Sequence, residues 1–251
     1  GSPPSRSISG LWQTTLNWEP NPSQIQSFQK LYDAILTGNQ RLNLTRITEP
    51  SDFLEKHLWD SLRGIQAYLS EESELASASP GFKVIDIGTG GGFPGIPVAI
   101  ARPDWHVTLL DATRKKVDFL NQLIAELEIP NAIAITERAE ALGQNRKHRG
   151  QYDVALVRAV AGANVCAEYA LPFLKVGGVA ILYRGQWTEA ENVTLQSAIA
   201  ELGGNLETID AFTTPINQGI RHCLIIRKIA PTPAAYPRAI GIPTQKPLGS
   251  E

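Results

Sequence analysis

From residue 82 onward, short apolar runs alternate with helix-length segments. The runs cover residues 82–87, 106–110, 132–135, 152–157 and 179–183. Unbroken apolar runs suit strands covered on both faces, and their alternation with helices predicts a parallel, doubly wound sheet. Two further strand-like runs, 205–211 and 222–229, are joined through Pro215 and Gly219 and read as an antiparallel pair closing that sheet. Ahead of the sheet, Asn21-Pro22 is a cap followed by proline, a good helix start. Behind it Ile25, Phe28, Leu31, Tyr32 and Ile35 recur at helical spacing, with Gly38 able to stop the run. A second helical pattern follows Pro50-Ser51, with Phe53, Leu54, Leu58, Leu62, Ile65 and Leu69 on one face. The organisation expected is a flexible tail over 1–20, a helical cap and linker over 21–80, an α/β domain over 81–230, and a basic, Pro-rich tail over 231–251.

The first strand runs into Val84-Ile-Asp-Ile-Gly-Thr-Gly-Gly-Gly-Phe-Pro-Gly95, where an open α/β sheet forms its ligand crevice. Gly90, Gly92 and Gly95 fit G-x-G-x-x-G, a dinucleotide pattern. Asp86, Gly88, Gly90 and Gly92 fit D-x-G-x-G-x-G, the pattern of S-adenosylmethionine (SAM) methyltransferases. Electrostatics favours the second pattern. A carboxylate at Asp86 repels a pyrophosphate laid on the loop amides, whereas SAM has no phosphate and carries an ammonium and a sulfonium. Asp111 ends the second strand and can accept from ribose hydroxyls of either ligand. The structural alternative is a tight turn in which Asp86 merely caps the helix.

Composition adds mainly exclusions. Hydrophobic residues at 43% and charged residues at 19% describe an ordinary globular chain. No apolar stretch approaches the ~20 residues of a membrane-spanning helix. The two cysteines, Cys166 and Cys223, form neither a CxxC pair nor a histidine cluster, so no metal set is expected and a reducing cytoplasm is the default. The net charge of −2 hides a basic run, Arg146-Lys147-His148-Arg149, and a stretch from Arg227 to Ser250 with four basic and no acidic residues. That tail reads as extended and able to run along an RNA backbone. The segment after the fourth strand, Leu156-Val-Arg-Ala-Val, lacks an Asn/Asp/Ser-Pro-Pro-aromatic box for an exocyclic amine, and neither cysteine follows a proline as in pyrimidine C6 attack. What remains suits an acceptor that is already nucleophilic, such as guanine N7, where catalysis is mostly proximity and orientation.

These motifs, taken in order, resemble the bacterial small-subunit ribosomal RNA methyltransferase G family, also called glucose-inhibited division protein B. The resemblance rests on Leu42-Asn-Leu-Thr-Arg46, His57-Leu-Trp-Asp-Ser61, the loop from Asp86 to Pro97, Val157-Arg-Ala-Val160, Arg184-Gly-Gln186 and Arg221-His222. It implies a Rossmann-like class I SAM-dependent methyltransferase with a mostly parallel sheet, an antiparallel C-terminal strand and a small N-terminal helical region. It further implies N7 methylation of a guanine in the 530 loop of 16S ribosomal RNA, on the RNA or the small subunit; a monomer is expected. Cofactor contacts are implied at Gly88 and Phe93, at Asp111, Ala112 and Thr113, at Ala139 and Glu140, and at Arg158. Arg184 stands where the family commonly has lysine, and the acidic stretch around Glu71 to Glu74 looks like a surface insertion. The readings kept open are a small-molecule methyltransferase, an NAD-binding module and a non-catalytic RNA-binding protein.

Three residues are the candidates for acting on the acceptor. Arg158 and Arg184, at successive strand ends, suit phosphate or base recognition. Their structural alternatives are an internal ion pair with Asp86 or Asp60 for Arg158, and solvation for Arg184. Asn43 looks like a buried amide between leucines, bonding either backbone or acceptor base. His57 and Asp60, three apart on a helix, share a face and suit a structural or substrate-positioning pair.

Overall fold

The computed structural model describes residues 10–158 and 160–250. Seven strands form one sheet in the order β3-β2-β1-β4-β5-β7-β6. They are β1 (Lys83–Ile87), β2 (His106–Asp111), β3 (Ala132–Thr136), β4 (Tyr152–Arg158), β5 (Leu174–Arg184), β6 (Gly204–Thr213) and β7 (Ile220–Lys228). The first five are parallel; β7 runs antiparallel to both β5 and β6. Thus the expected closing pair is present, with the last strand inserted inside the sheet and β6 at its edge. A dinucleotide fold of strand order 3-2-1-4-5-6 has no such inserted strand.

The helices are α1 (Leu11–Leu16), α2 (Pro22–Asn39), α3 (Pro50–Phe53), α4 (Asp60–Arg63), α5 (Glu74–Ser77), α6 (Gly95–Ala101), α7 (Arg114–Glu126), α8 (Ala139–Leu142), α9 (Ala163–Ala170), α10 (Glu189–Leu202) and α11 (Ile242–Gln245). The Asn21-Pro22 signal marks α2, where Asn21 and Gln24 cap each other's backbone amides. Between α3 and α4 the helix widens into a π-helical segment, Leu54–Trp59, a local geometry that favours functional sites and that hydrophobic spacing does not announce. Its Glu55 is buried and accepts from the backbone amides of Ile216 and Asn217, fastening the β6–β7 turn to the cap.

The terminal segments depart from expectation. Residues 1–9 of the tail foreseen over 1–20 lie outside the described residues. Beyond them, α1 is a packed helix with Trp12 and Leu16 buried, and the ring of Trp12 stacks on Phe28 at 6.0 Å between centroids. Two aromatic and leucine side chains at helical spacing outweigh the polar composition around them. Segment 231–250 is likewise docked rather than extended. Arg149 donates to the carbonyls of Thr232, Pro233 and Tyr236, so this member of the basic run is occupied inside the molecule.

Side chains alternate across the sheet, and two cores result. Val84, Val107, Leu109, Val154, Leu156, Val179, Ile181, Tyr183 and Cys223 face the core shared with α1 to α4 and α6. Ile85, Ile87, Leu110, Ala155, Val157, Ala180, Leu182 and Leu224 face the core under α8, α9 and α10. This parity decides where each strand-end residue points.

Candidate active site

The glycine loop follows β1. Asp86, in register with Leu109 and Leu156, is fully buried. Its Oδ2 accepts from the Thr89 hydroxyl at 2.6 Å and from the Gly95 amide at 2.8 Å, so it ties the loop to the start of α6. Its Oδ1 is buried with no partner among the described residues. Burial raises the carboxyl to about 7, against the hydrogen bonds of Thr89 and Gly95 and the Arg158 charge. The helix-capping alternative foreseen for Asp86 is therefore present. Two glycines are needed on geometric grounds. Gly88 has φ +69°, and a Cβ there would meet the Val160 side chain at 2.6 Å; a Cβ at Gly95 would collide with Leu109 and come within 2.8 Å of Asp86 Oδ2.

Gly88, Asp111, Ala112, Ala139 and Glu140 come together, as expected, around one cavity of about 200 Å³, joined there by Glu137, Arg138, Val160 and Tyr169. Asp111 sits where β2 ends, its Oδ2 accepting from the Gly90 amide at 2.9 Å and its Oδ1 from the Thr113 amide at 2.9 Å. Each oxygen keeps a lone pair for a diol. The Gly88 cradle and the Asp111 carboxylate at a strand end together fit a ribose-bearing cofactor. Gly90, Gly92 and Thr113 shape this wall without lining the cavity.

Arg158 belongs to a second cavity, and Phe93 packs behind it against His57. By parity Arg158 points to the face of Leu156, toward the helical cap. It donates to the Lys56 carbonyl at 2.8 Å, to His57 Nδ1 at 2.9 Å and to Asp60 Oδ2 at 3.4 Å. The Asp60 ion pair named as its structural alternative is thus formed. Arg221 reaches the same carboxylate from β7, bonding both oxygens at 3.2 Å. Glu55, Lys56, His57, Asp60, Arg158 and Arg221 line a cavity of about 340 Å³. Phe93 stacks on His57 at 4.3 Å and lies 5.8 Å below the Arg158 guanidinium, linking the glycine loop to this cluster. Arg158, the last residue of β4, and Val160, two residues on, line the two cavities.

His57 has one tautomer available. Arg158 can only donate, so Nδ1 accepts and the proton sits on Nε2, 2.7 Å from Thr45 Oγ1. Burial, followed by the charges of Arg158 and Lys56, lowers the imidazole to about 3. The folded protein therefore refuses a proton that the unfolded chain takes up near pH 6.5, and this contribution to stability is lost as pH falls from about 6.5 toward 3. Replacing His57 with glutamine, which keeps an acceptor for Arg158, is expected to remove that slope. Urea titrations of both proteins at pH 7 and pH 4 check it, and parallel losses in the two would contradict it.

Arg184 goes elsewhere. It lies one residue past Tyr183, the partner of Arg158 across β4 and β5, and so faces the opposite side of the sheet. There its Nη1 donates to the Ala161 carbonyl at 2.6 Å, bracing the loop between β4 and α9. Asn43 is exposed, not buried. Asn39 organises that loop instead, accepting from the amides of Leu44 and Thr45 at 3.0 Å and donating to the Thr45 carbonyl at 2.8 Å. Leu44 packs against Gly91, so the segment that carries Asn43 adjoins the glycine loop. Arg221 was not among the expected site residues, although it is signalled in the sequence: it stands two residues before Cys223, a core position, and so shares the face of Arg158.

The chain matches the family model described as rRNA small subunit methyltransferase G over residues 24–223. It is 56% identical over 239 residues to the ribosomal RNA small subunit methyltransferase G of Trichormus variabilis, covering 95% of this chain and 96% of that protein. It is 53% identical to the same-named protein of Trichodesmium erythraeum, covering 96% and 93%. Solved structures share the fold. The antibiotic-resistance methyltransferase Kmr matches with a TM-score of 0.52 at 17% identity, covering 62% of this chain and 90% of that one. A 16S rRNA (adenine(1408)-N(1))-methyltransferase from Catenulisporales acidiphilia matches with 0.51 at 15% identity, covering 68% and 94%.

Proposed function

The chain belongs to the rRNA small subunit methyltransferase G family, and we propose that it methylates N7 of a guanine in the 530 loop of 16S ribosomal RNA, as a cytoplasmic monomer. The fold is that of a class I SAM-dependent methyltransferase and the cofactor is SAM. When bound, SAM supplies an electrophilic methyl group on a sulfonium. Asp111 would hold its ribose, Gly88 would let the loop backbone approach, and Ala139 and Glu140 would border the far end of the cavity.

The observation that carries the N7 reading is the state of the second cavity. His57 is neutral with both ring nitrogens engaged, and Asp60 is shared between Arg158 and Arg221. Neither is placed to take a proton from an acceptor. Guanine N7 presents a lone pair and needs no base, and its methylation places a positive charge on the ring. The chain's part is then orientation: Arg158 is held from three sides, and Arg221 has Nη1 without a hydrogen-bond partner among the described residues, available to a phosphate or base edge. Arg184 would act indirectly, through the loop it braces, and Asn43, exposed on the segment next to the glycine loop, would be open to an incoming nucleotide.

The test is transfer from labelled SAM to small ribosomal subunits from cells lacking this modification, with naked 16S RNA in parallel. Modified sites are mapped by borohydride–aniline cleavage, which reports N7-methylguanine. A single new cleavage in the 530 loop is expected. Label incorporated elsewhere, or at a nitrogen that resists this cleavage, would overturn the proposal.

A further inference from the structure

The family model stops at residue 223, yet the chain continues past β7 through a segment with no strand and one short helix. Segment 231–250 crosses the cofactor side of the sheet, and two of its attachments are buried carboxylates beside the cavity. Glu140, which lines the cavity, accepts from the Gly241 amide at 2.9 Å. Glu168 precedes Tyr169, another lining residue, and is 1% exposed at its side chain. It accepts from the Arg238 amide at 2.8 Å and from the Arg238 guanidinium at 2.7 Å, the latter 24% exposed.

Further contacts run along the segment. Tyr236 and Leu248 pack on the core that contains Ala139 and Leu142. Asn164, in the first turn of α9, donates to the Leu248 carbonyl at 2.8 Å, and Gln144 donates to the Pro237 carbonyl at 2.9 Å. The elements held this way differ in their other support: α9 also packs on α10 and β5. α8 is a single turn following β3 at the open edge of the sheet, and α9 is a two-turn helix.

We propose that segment 231–250 is a strap that holds the cofactor cavity in its binding shape, with Arg238 and Gly241 as positioning residues acting through Glu168 and Glu140. The inference rests on the reading that this cavity takes SAM. Without Arg238, a nearly buried carboxylate next to Tyr169 has lost its counter-charge, and the start of α9 and the Ala139-Glu140 wall can shift. The effect falls on the cofactor and not on the RNA, because the cluster around Arg158 lies on the other face of the sheet.

In Arg238→Ala, the Kd and KM for SAM are expected to rise about tenfold, while kcat at saturating SAM and the KM for the small subunit stay at wild-type values. Arg238→Lys, which keeps one charged donor, should recover part of the affinity. A variant with lowered thermal stability and unchanged SAM affinity would show an anchor only and overturn the proposal. Wild type failing to bind SAM would instead overturn the functional reading. Should the variant not fold, hydrogen exchange on the wild type decides. Coupling is reciprocal, so SAM must slow exchange at the Arg238 and Gly241 amides, and unchanged exchange there refutes the strap.

Discussion

Arg158→Ala is expected to cut methyl transfer by at least about 100-fold while lowering SAM affinity much less. The substitution removes three hydrogen bonds at once, leaving His57 Nδ1 buried without a donor and Asp60 held by Arg221 alone. Arg158 faces the cavity of His57 and Asp60, whereas the cavity proposed for SAM is lined beyond β4 by Val160, so transfer is expected to suffer before cofactor binding. Lysine cannot reach a carbonyl, an imidazole and a carboxylate together, so Arg158→Lys should rescue little. Single-turnover transfer alongside calorimetric SAM binding measures both quantities. Normal transfer would remove Arg158 from the site, and an equal loss of affinity and rate would move it to the cofactor.

Asp86→Ala is expected to destabilise the protein by about 3 kcal/mol, since it strands the Thr89 hydroxyl and the Gly95 amide in a dry core and leaves a void. Asp86→Asn separates charge from hydrogen bonding. Burial holds the folded carboxyl at about 7 against an ordinary 3.8, so its contribution is full below pH 3.8 and lost as pH rises through about 7. The neutral amide lacks this loss. The stability of Asp86→Asn relative to wild type should therefore improve from pH 5 to pH 8, as measured by denaturant midpoints. A difference that stays flat over that range would mean that the carboxyl ionises as freely inside as outside.

The catalytic half of the chain was largely readable because its signals are local. A strand period of two, a glycine loop and an acid at the next strand end each occupy a few consecutive residues. Asp86, Gly88 and Asp111 were named this way and Ala139 and Glu140 through the resemblance, and all but Asp86 line one cavity. What escaped depends on partners far away in the chain. Arg158 and Arg184 look equivalent in sequence, yet parity sends them to opposite faces, and that requires the register of β4 on β5. Asn43 and Asn39 differ little by composition, but only Asn39 closes the loop. The basic tail has the composition of a free RNA-binding arm, and the acids that claim it, Glu140 and Glu168, lie 101 and 70 residues away from their partners. Arg149 of the basic run is claimed at a distance too, by carbonyls rather than charges.

The insertion of β7 between β5 and β6 also orders events during synthesis. β6 emerges first but has no partner in the sheet until the strand made after it arrives. The β5 edge therefore stays open until Lys228 is made, a window of about 2–9 s at roughly 5–20 residues per second. Through that window an apolar strand edge is available to other nascent chains. Chains ending before Lys228 cannot complete the sheet, whereas chains ending just past Ala230 complete it and lack only the strap. Premature stop codons on the two sides of that point should thus divide into aggregating products and soluble ones with weakened SAM binding.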